Sequence, residues 1–272
     1  MAMILATGGA HAARTQVLVP HDGAQIEVIV DGEGDAVVLL PSSQRGSDDF
    51  DAVAERIAAA GHKVLRPQPR GIGKSTGSLE NLTLHVLAGD VAATIRALGG
   101  GRAVVVGHAY GHYVARVTDL DHPALVRGVV MAASGSAGAT STPTLPAALD
   151  VAANASQPEA ARLAALQLAF FAQGNAPREW LAGWHPELAK AYRSAAKTPA
   201  RSIWWPVTHA PVLDLQAAED PWRPMASRRE VVDALGAKAS VVVVPKASHA
   251  LFPEQPKAVA DAIVKWIAGL PR

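Results

Sequence analysis

The chain has 272 residues, 49% hydrophobic and 18% charged, with a formal net charge of +1 and no cysteine. This is a globular balance that gives no reason to expect nucleic acid or an anionic membrane as partner. The lack of cysteine excludes disulfides, thiolate catalysis and Cys-ligated zinc. No apolar run reaches the roughly 18 residues needed to span a bilayer.

The first twelve residues end in Ala10-His11-Ala12, an A-x-A pattern of the kind signal peptidase cleaves. Their apolar part is short and no basic stretch precedes it. Residues 1–14 therefore read either as an ordinary N-terminal extension or as the remnant of an export signal. A cytoplasmic and a periplasmic or secreted location both stay open.

Val17–Val19 and Ile26–Val30 are β-rich runs around Asp22-Gly23 and predict a hairpin. Ala36–Leu40 is continuously apolar, as a strand buried on both faces should be. Helical spacing follows over Phe50–Ala60, stopped by Gly61, and Val64-Leu65 is the next strand, closed by Pro67. A long amphipathic helix is predicted over Leu82–Leu98, ending at three consecutive glycines. Strand Ala103–Val106, helix Tyr110–Thr118 and strand Val126–Ala132 come next. After a gap the pattern resumes with strand Val212–Leu215, helix Arg228–Leu235, strand Val241–Val244 and helix Pro256–Ile267. Such alternation implies a mostly parallel sheet with helices on both faces.

The gap opens with small residues over Ser134–Pro143, which read as a flexible hinge, and is then mainly helical over Glu159–Phe171, Pro177–Gly183 and Leu188–Ala196. It holds seven of the thirteen Phe, Trp and Tyr residues. Rings of this kind either pack an insertion onto a sheet or line an apolar pocket. Phe170, Phe171, Trp180, Trp184, Trp204 and Trp205 are the candidates for a pocket wall.

Three segments carry the chemistry. The first is Gly107-His108-Ala109-Tyr110-Gly111, a Gly-x-x-x-Gly turn between an apolar strand and a helix. The second is strand Pro211–Gln216 followed by Glu219-Asp220-Pro221, which offers a carboxylate just past a strand end, with Asp220 the best placed and Glu219 and Asp214 as further candidates. The third is Val241–Val244 leading into Lys246-Ala247-Ser248-His249, a histidine in the loop before the last helix. A lone Asp in a turn usually caps it, and a lone loop His is usually just surface. It is their order along the chain that gives the three segments meaning.

Together these segments resemble the α/β-hydrolase fold superfamily, most closely its capped esterases, lactonases and C–C bond hydrolases. There the chain order is nucleophile, acid, histidine, and the nucleophile is the serine of G-x-S-x-G. The resemblance implies an α/β core over residues 15–133 and 209–272, with a helical cap over 134–208. It also implies His249 as the base and Asp220 as the residue orienting it, with the backbone N–H groups of Tyr110 and Ser43 as the oxyanion hole. His108 reads as structural. Pro41-Ser42 stands where the superfamily usually has His-Gly, and Arg70-Gly71-Ile72-Gly73-Lys74-Ser75 resembles its R-G-x-G-x-S turn. That turn lacks the four-residue interval of a phosphate-binding P-loop. No metal or organic cofactor is implied. The expected partner is a small apolar or aromatic ester or lactone, and oligomeric state cannot be read from the sequence.

The nucleophile position carries Ala109, and a methyl group cannot attack a carbonyl. Four readings follow. Ala109 could stand in an inactive variant of a serine enzyme. Ser42 or Ser43 could be a relocated nucleophile. His249 and Asp220 could act without a nucleophile, as a general base on water or a C–H. Finally, the chain could be a non-catalytic pseudo-enzyme that binds a small apolar ligand.

Overall fold

A computed structural model describes residues 14–135 and 142–271. The expected N-terminal extension or signal remnant lies outside the described residues, as does most of the expected hinge.

The hairpin forms as predicted, from β1 (Thr15–His21) and β2 (Ala24–Asp31) paired antiparallel. There follow β3 (Asp35–Leu40), α1 (Asp51–Ala59), β4 (His62–Pro67), α2 (Leu84–Leu98), β5 (Ala103–His108), α3 (Gly111–Asp121) and β6 (Val126–Ala132). The inserted stretch carries α4 (Thr144–Ala153), α5 (Glu159–Ala169), α6 (Ala189–Ala195) and α7 (Arg201–Trp204). The chain closes with β7 (Val212–Ala217), α8 (Glu230–Leu235), β8 (Ala239–Val244), α9 (Leu251–Glu254) and α10 (Pro256–Ala268). One eight-stranded sheet results, in the order β1-β2-β4-β3-β5-β6-β7-β8, parallel from β4 onward.

Strand alternation sorts the core into two layers. Val37 and Leu39 of β3, with Val104 and Val106 of β5, meet Val53 and Ile57 of α1 and Val259 and Ile263 of α10. Val38 and Val105 pack on the other face, against Leu87, Val91 and Ile95 of α2 and Val114 and Val117 of α3. Because both faces are covered, the central strands read as unbroken Val runs. The insertion has its own small core around Leu145, Leu166, Phe170 and Trp180.

The boundary differences have local causes. The second helix starts at Leu84, two residues later than its apolar pattern, because the Thr83 hydroxyl caps it by accepting from the Val86 N–H. Helix α4 lies where no helix was expected. Its Pro146 falls in the first turn, where the missing N–H costs nothing. Pro177–Gly183 yields only a 3-10 turn, Arg178–Leu181, rather than the expected helix.

Candidate active site

Strand β5 runs into a turn at which Ala109 has φ +46°, and α3 leaves two residues later. A non-glycine residue held there stores roughly 1–3 kcal/mol of backbone strain. The turn is held because Ala109 N–H donates to Ala132 O at 2.9 Å, and because the flanking glycines admit close backbone contact. A Cβ on Gly107 would lie 2.3 Å from the Gly111 carbonyl group and the His112 nitrogen, and one on Gly111 would lie 2.3 Å from Leu40 O.

The two other predicted segments converge beside this turn. Asp220 follows β7 and His249 follows β8, and the Asp220 carboxylate accepts from His249 Nδ1 at 3.0 and 3.2 Å. A carboxylate only accepts, so Nδ1 carries the proton and Nε2 presents its lone pair. Asp220 Oδ1 is fixed in turn by the Trp222 N–H at 2.9 Å. The competing carboxylates are placed elsewhere. Asp214 is buried in β7 against Arg223 at 3.0 Å, where desolvation raises its pKa, while Glu219 is exposed. The rings of Phe170 and Trp222 flank the His249 imidazole, with centroids 5.7 and 5.4 Å away.

The His249 loop is tied down on three sides. Its Ser248 N–H donates to Glu254 Oε2 at 2.6 Å, and Ala250 N–H donates to Phe170 O at 2.8 Å. His108 Nε2–H donates to the His249 carbonyl at 2.7 Å. His108 is fully buried, and desolvation together with the neighbouring His249 lowers its pKa to about 3. The structural role read for His108 is thus a specific one, bolting the elbow to the histidine loop.

This bolt makes stability pH-dependent. The unfolded chain protonates His108 below its ordinary 6.5, whereas the folded chain keeps it neutral down to about 3. The unfolded state therefore binds more protons across that window, and stability falls as pH drops through it, by up to about 1.4 kcal/mol per pH unit. His112 on α3 is also buried and held well below 6.5, and it adds in the same direction. Urea unfolding between pH 7.5 and 5 should show this slope, and His108→Gln, which retains a donor, should reduce it. An unchanged slope in that variant would count against the assignment.

The loop after β3 forms the other wall. Ser42 is buried and Ser43 half-buried, and no main-chain hydrogen bond among the described residues takes up the Ser43 or Tyr110 N–H. Neither serine hydroxyl is hydrogen-bonded to His249. Gln44 has φ +62°, a strained value for a residue with a side chain. It is held because the Gln44 carbonyl accepts from His185 N–H at 2.9 Å and Arg45 pairs with Trp184 along the backbone. The buried Arg45 guanidinium bonds both Asp49 oxygens and donates to Ala182 O at 2.6 Å. It lies over the rings of Trp180 and Trp184, 4.4 and 4.8 Å from their centroids. The glycine-rich turn 70–75 is structural, with Arg70 in a bidentate pair with Asp90 at 2.7 and 2.9 Å.

The six aromatic candidates separate into two groups. Phe170, Phe171, Trp180 and Trp184 form one ring cluster reaching from His249 to Arg45. Trp204 and Trp205 stand apart on α3, against Tyr113 and Arg116. None of the six lines the cavity beside Ser42 and Tyr110. Sequence reasoning missed Trp222, two residues beyond Asp220, and Arg45, whose i,i+4 spacing from Asp49 was the available sign.

An elbow, a histidine–aspartate pair and a strand-end loop gathered on this sheet define the α/β-hydrolase fold. The chain belongs to the alpha/beta hydrolase family, whose model matches residues 37–262. Among curated proteins it is 33% identical over 133 residues to a 2-hydroxy-6-oxononadienedioate/2-hydroxy-6-oxononatrienedioate hydrolase of Burkholderia vietnamiensis, a match that covers 45% of each chain and so under half the relative's length. It is 27% identical over 260 residues to BpoC of Mycobacterium tuberculosis, covering 88% of this chain and 96% of that one. An esterase structure from Exiguobacterium antarcticum superposes with a TM-score of 0.77 at 17% identity, over 94% of this chain and 100% of that one.

Proposed function

We propose that this site is built for acyl transfer from a small ester or lactone, and that Ala109 occupies its nucleophile position, so the chain as it stands lacks the covalent step. The observation that carries this reading is the strained φ of +46° at Ala109, kept beside a hydrogen-bonded Asp220–His249 pair. A turn of that cost makes sense where a side chain must be presented to the base. In the complete reaction His249 Nε2 takes the proton of a hydroxyl at position 109 as its oxygen attacks the carbonyl. Asp220 holds the imidazolium, and the Ser43 and Tyr110 N–H groups receive the oxyanion. His249 then returns the proton to the departing alcohol, and water repeats the sequence to release the acid. The insertion acts as the cap. Ala109→Ser assayed on short p-nitrophenyl esters is the test, and no turnover across such a panel would overturn the reading.

A second reading rests on the dyad alone. His249 keeps its carboxylate partner and aromatic walls whatever stands at position 109, so it could serve as a general base on water or a C–H. In that case His249→Ala abolishes an activity of the unmodified chain that Ala109→Ser leaves nearly unchanged.

A further inference from the structure

Helix α5 of the insertion ends at Ala169, and the carbonyls at such an end have no partners within the helix. Here they find partners around the histidine–aspartate pair. Trp222 Nε1, two residues beyond Asp220, donates to Ala169 O at 2.7 Å. The Ala250 N–H, next to His249, donates to Phe170 O at 2.8 Å. The contact also runs the other way. Ala172 N–H and Asn175 Nδ2 donate to Glu254 Oε1 at 2.6 and 2.7 Å, and Asn175 Nδ2 donates to Lys246 O at 3.0 Å. Residues 169–175 thus reach both members of the pair through residues one or two positions away from them.

Glu254 joins the two sides of this contact. Its Oε1 receives the two donors from the insertion, while its Oε2 receives the Ser248 N–H at 2.6 Å. Three N–H groups converge on this side chain, so the place calls for a group that only accepts. An ionised carboxylate does so with both oxygens, whereas an amide would turn an NH2 toward one set of donors. The main chain is therefore held on both sides of His249, at Ser248 by Glu254 and at Ala250 by Phe170. Proton transfer is exacting about such placement, since an error of about 1 Å at a reacting group can cost about 10²-fold in rate.

We propose that Glu254 is a positioning residue for His249 and that residues 169–175 act through it, so that the insertion holds the base in register. The inference takes His249 as the base from the acyl-transfer reading, but the positioning can be measured without turnover.

The experiment has two arms. In the first, the proton that His249 Nδ1 donates to Asp220 is followed by NMR in the unmodified chain and assigned by its loss in His249→Gln. Glu254→Gln should shift and broaden this resonance, and Asn175→Ala should shift it in the same direction by less. The second arm repeats both substitutions in an Ala109→Ser background. There Glu254→Gln should lower kcat about 10- to 100-fold while KM stays within about twofold. A purely structural carboxylate would lower stability without moving the resonance or the kcat of the folded protein. If Glu254→Gln does not fold, Asn175→Ala, at a half-buried position, decides the matter. A resonance and a kcat that neither substitution changes overturn the proposal, and a response to Glu254→Gln alone overturns the part given to the insertion. An inert Ala109→Ser protein whose His249 resonance responds to both substitutions sustains the positioning and overturns the acyl-transfer reading instead.

Discussion

Ala109→Ser should raise kcat/KM for p-nitrophenyl butanoate by at least about 10²-fold, with a burst of p-nitrophenol as the acyl group accumulates on the protein. The expectation follows from what is already in place. Removing the serine from an intact triad costs on the order of 10⁶ in turnover, and the remaining apparatus retains roughly 10³–10⁴ over water. Here His249 already has its tautomer set by Asp220 at 3.0 Å, and the Ser43 and Tyr110 N–H groups have no main-chain partner among the described residues. On the proposed acyl-transfer reading, the hydroxyl is the one part to be supplied. The control is His249→Ala in the same background, which should return activity to the level of the unmodified chain. Asp220→Asn should cost about 10⁴ through loss of the correct tautomer. A gain that survives His249→Ala would show that the hydroxyl is not activated by this dyad, and the assignment would fail.

The second large effect concerns the turn itself. Gly111→Ala should destabilise the protein by more than about 4 kcal/mol, a large share of the 5–15 kcal/mol that holds a domain folded. The added carbon would sit 2.3 Å from Leu40 O and 2.8 Å from Leu40 C and Pro41 O, all main-chain atoms. Neither side can retreat. Leu40 ends a central strand paired to Gly107, and α3 is fixed through Val114, Ala115 and Val117 in the core. Gly100→Ala is the comparison. That glycine also has a positive φ, +68°, but a Cβ there meets nothing within 4 Å, so it should cost about 1 kcal/mol of conformational strain. Urea unfolding of both variants measures the difference. Similar costs would mean that the close approach at Gly111 is not what the fold depends on.

The sheet and its helices were legible because their signal is local. Val37–Leu40 and Val104–Val106 are apolar on both faces, and the three glycines after Leu98 mark the end of α2 without reference to anything distant. The site was legible in part, through the order of Gly107–Gly111, Asp220 and His249 along the chain. What was not legible joins residues far apart. His108 meets the His249 carbonyl across 141 positions, and Arg45 meets Ala182 across 137. Neither pairing leaves a period or a spacing in the sequence. The six aromatics show the same limit. Their composition predicted a pocket wall, but four of them gather around His249 and Arg45 while Trp204 and Trp205 support α3. Helix α4 escaped notice for a local reason, since small residues and a proline at its start imitate a linker.

Gln44 and Arg45 are stitched to residues 182–185 by main-chain pairing and a buried guanidinium. Those two residues directly follow Ser43. Any outward swing of that part of the insertion therefore drags the Ser43 N–H with it. The seating of the insertion and the position of the Ser43 N–H are therefore one structural variable, set together by the Gln44, Arg45 and His185 contacts.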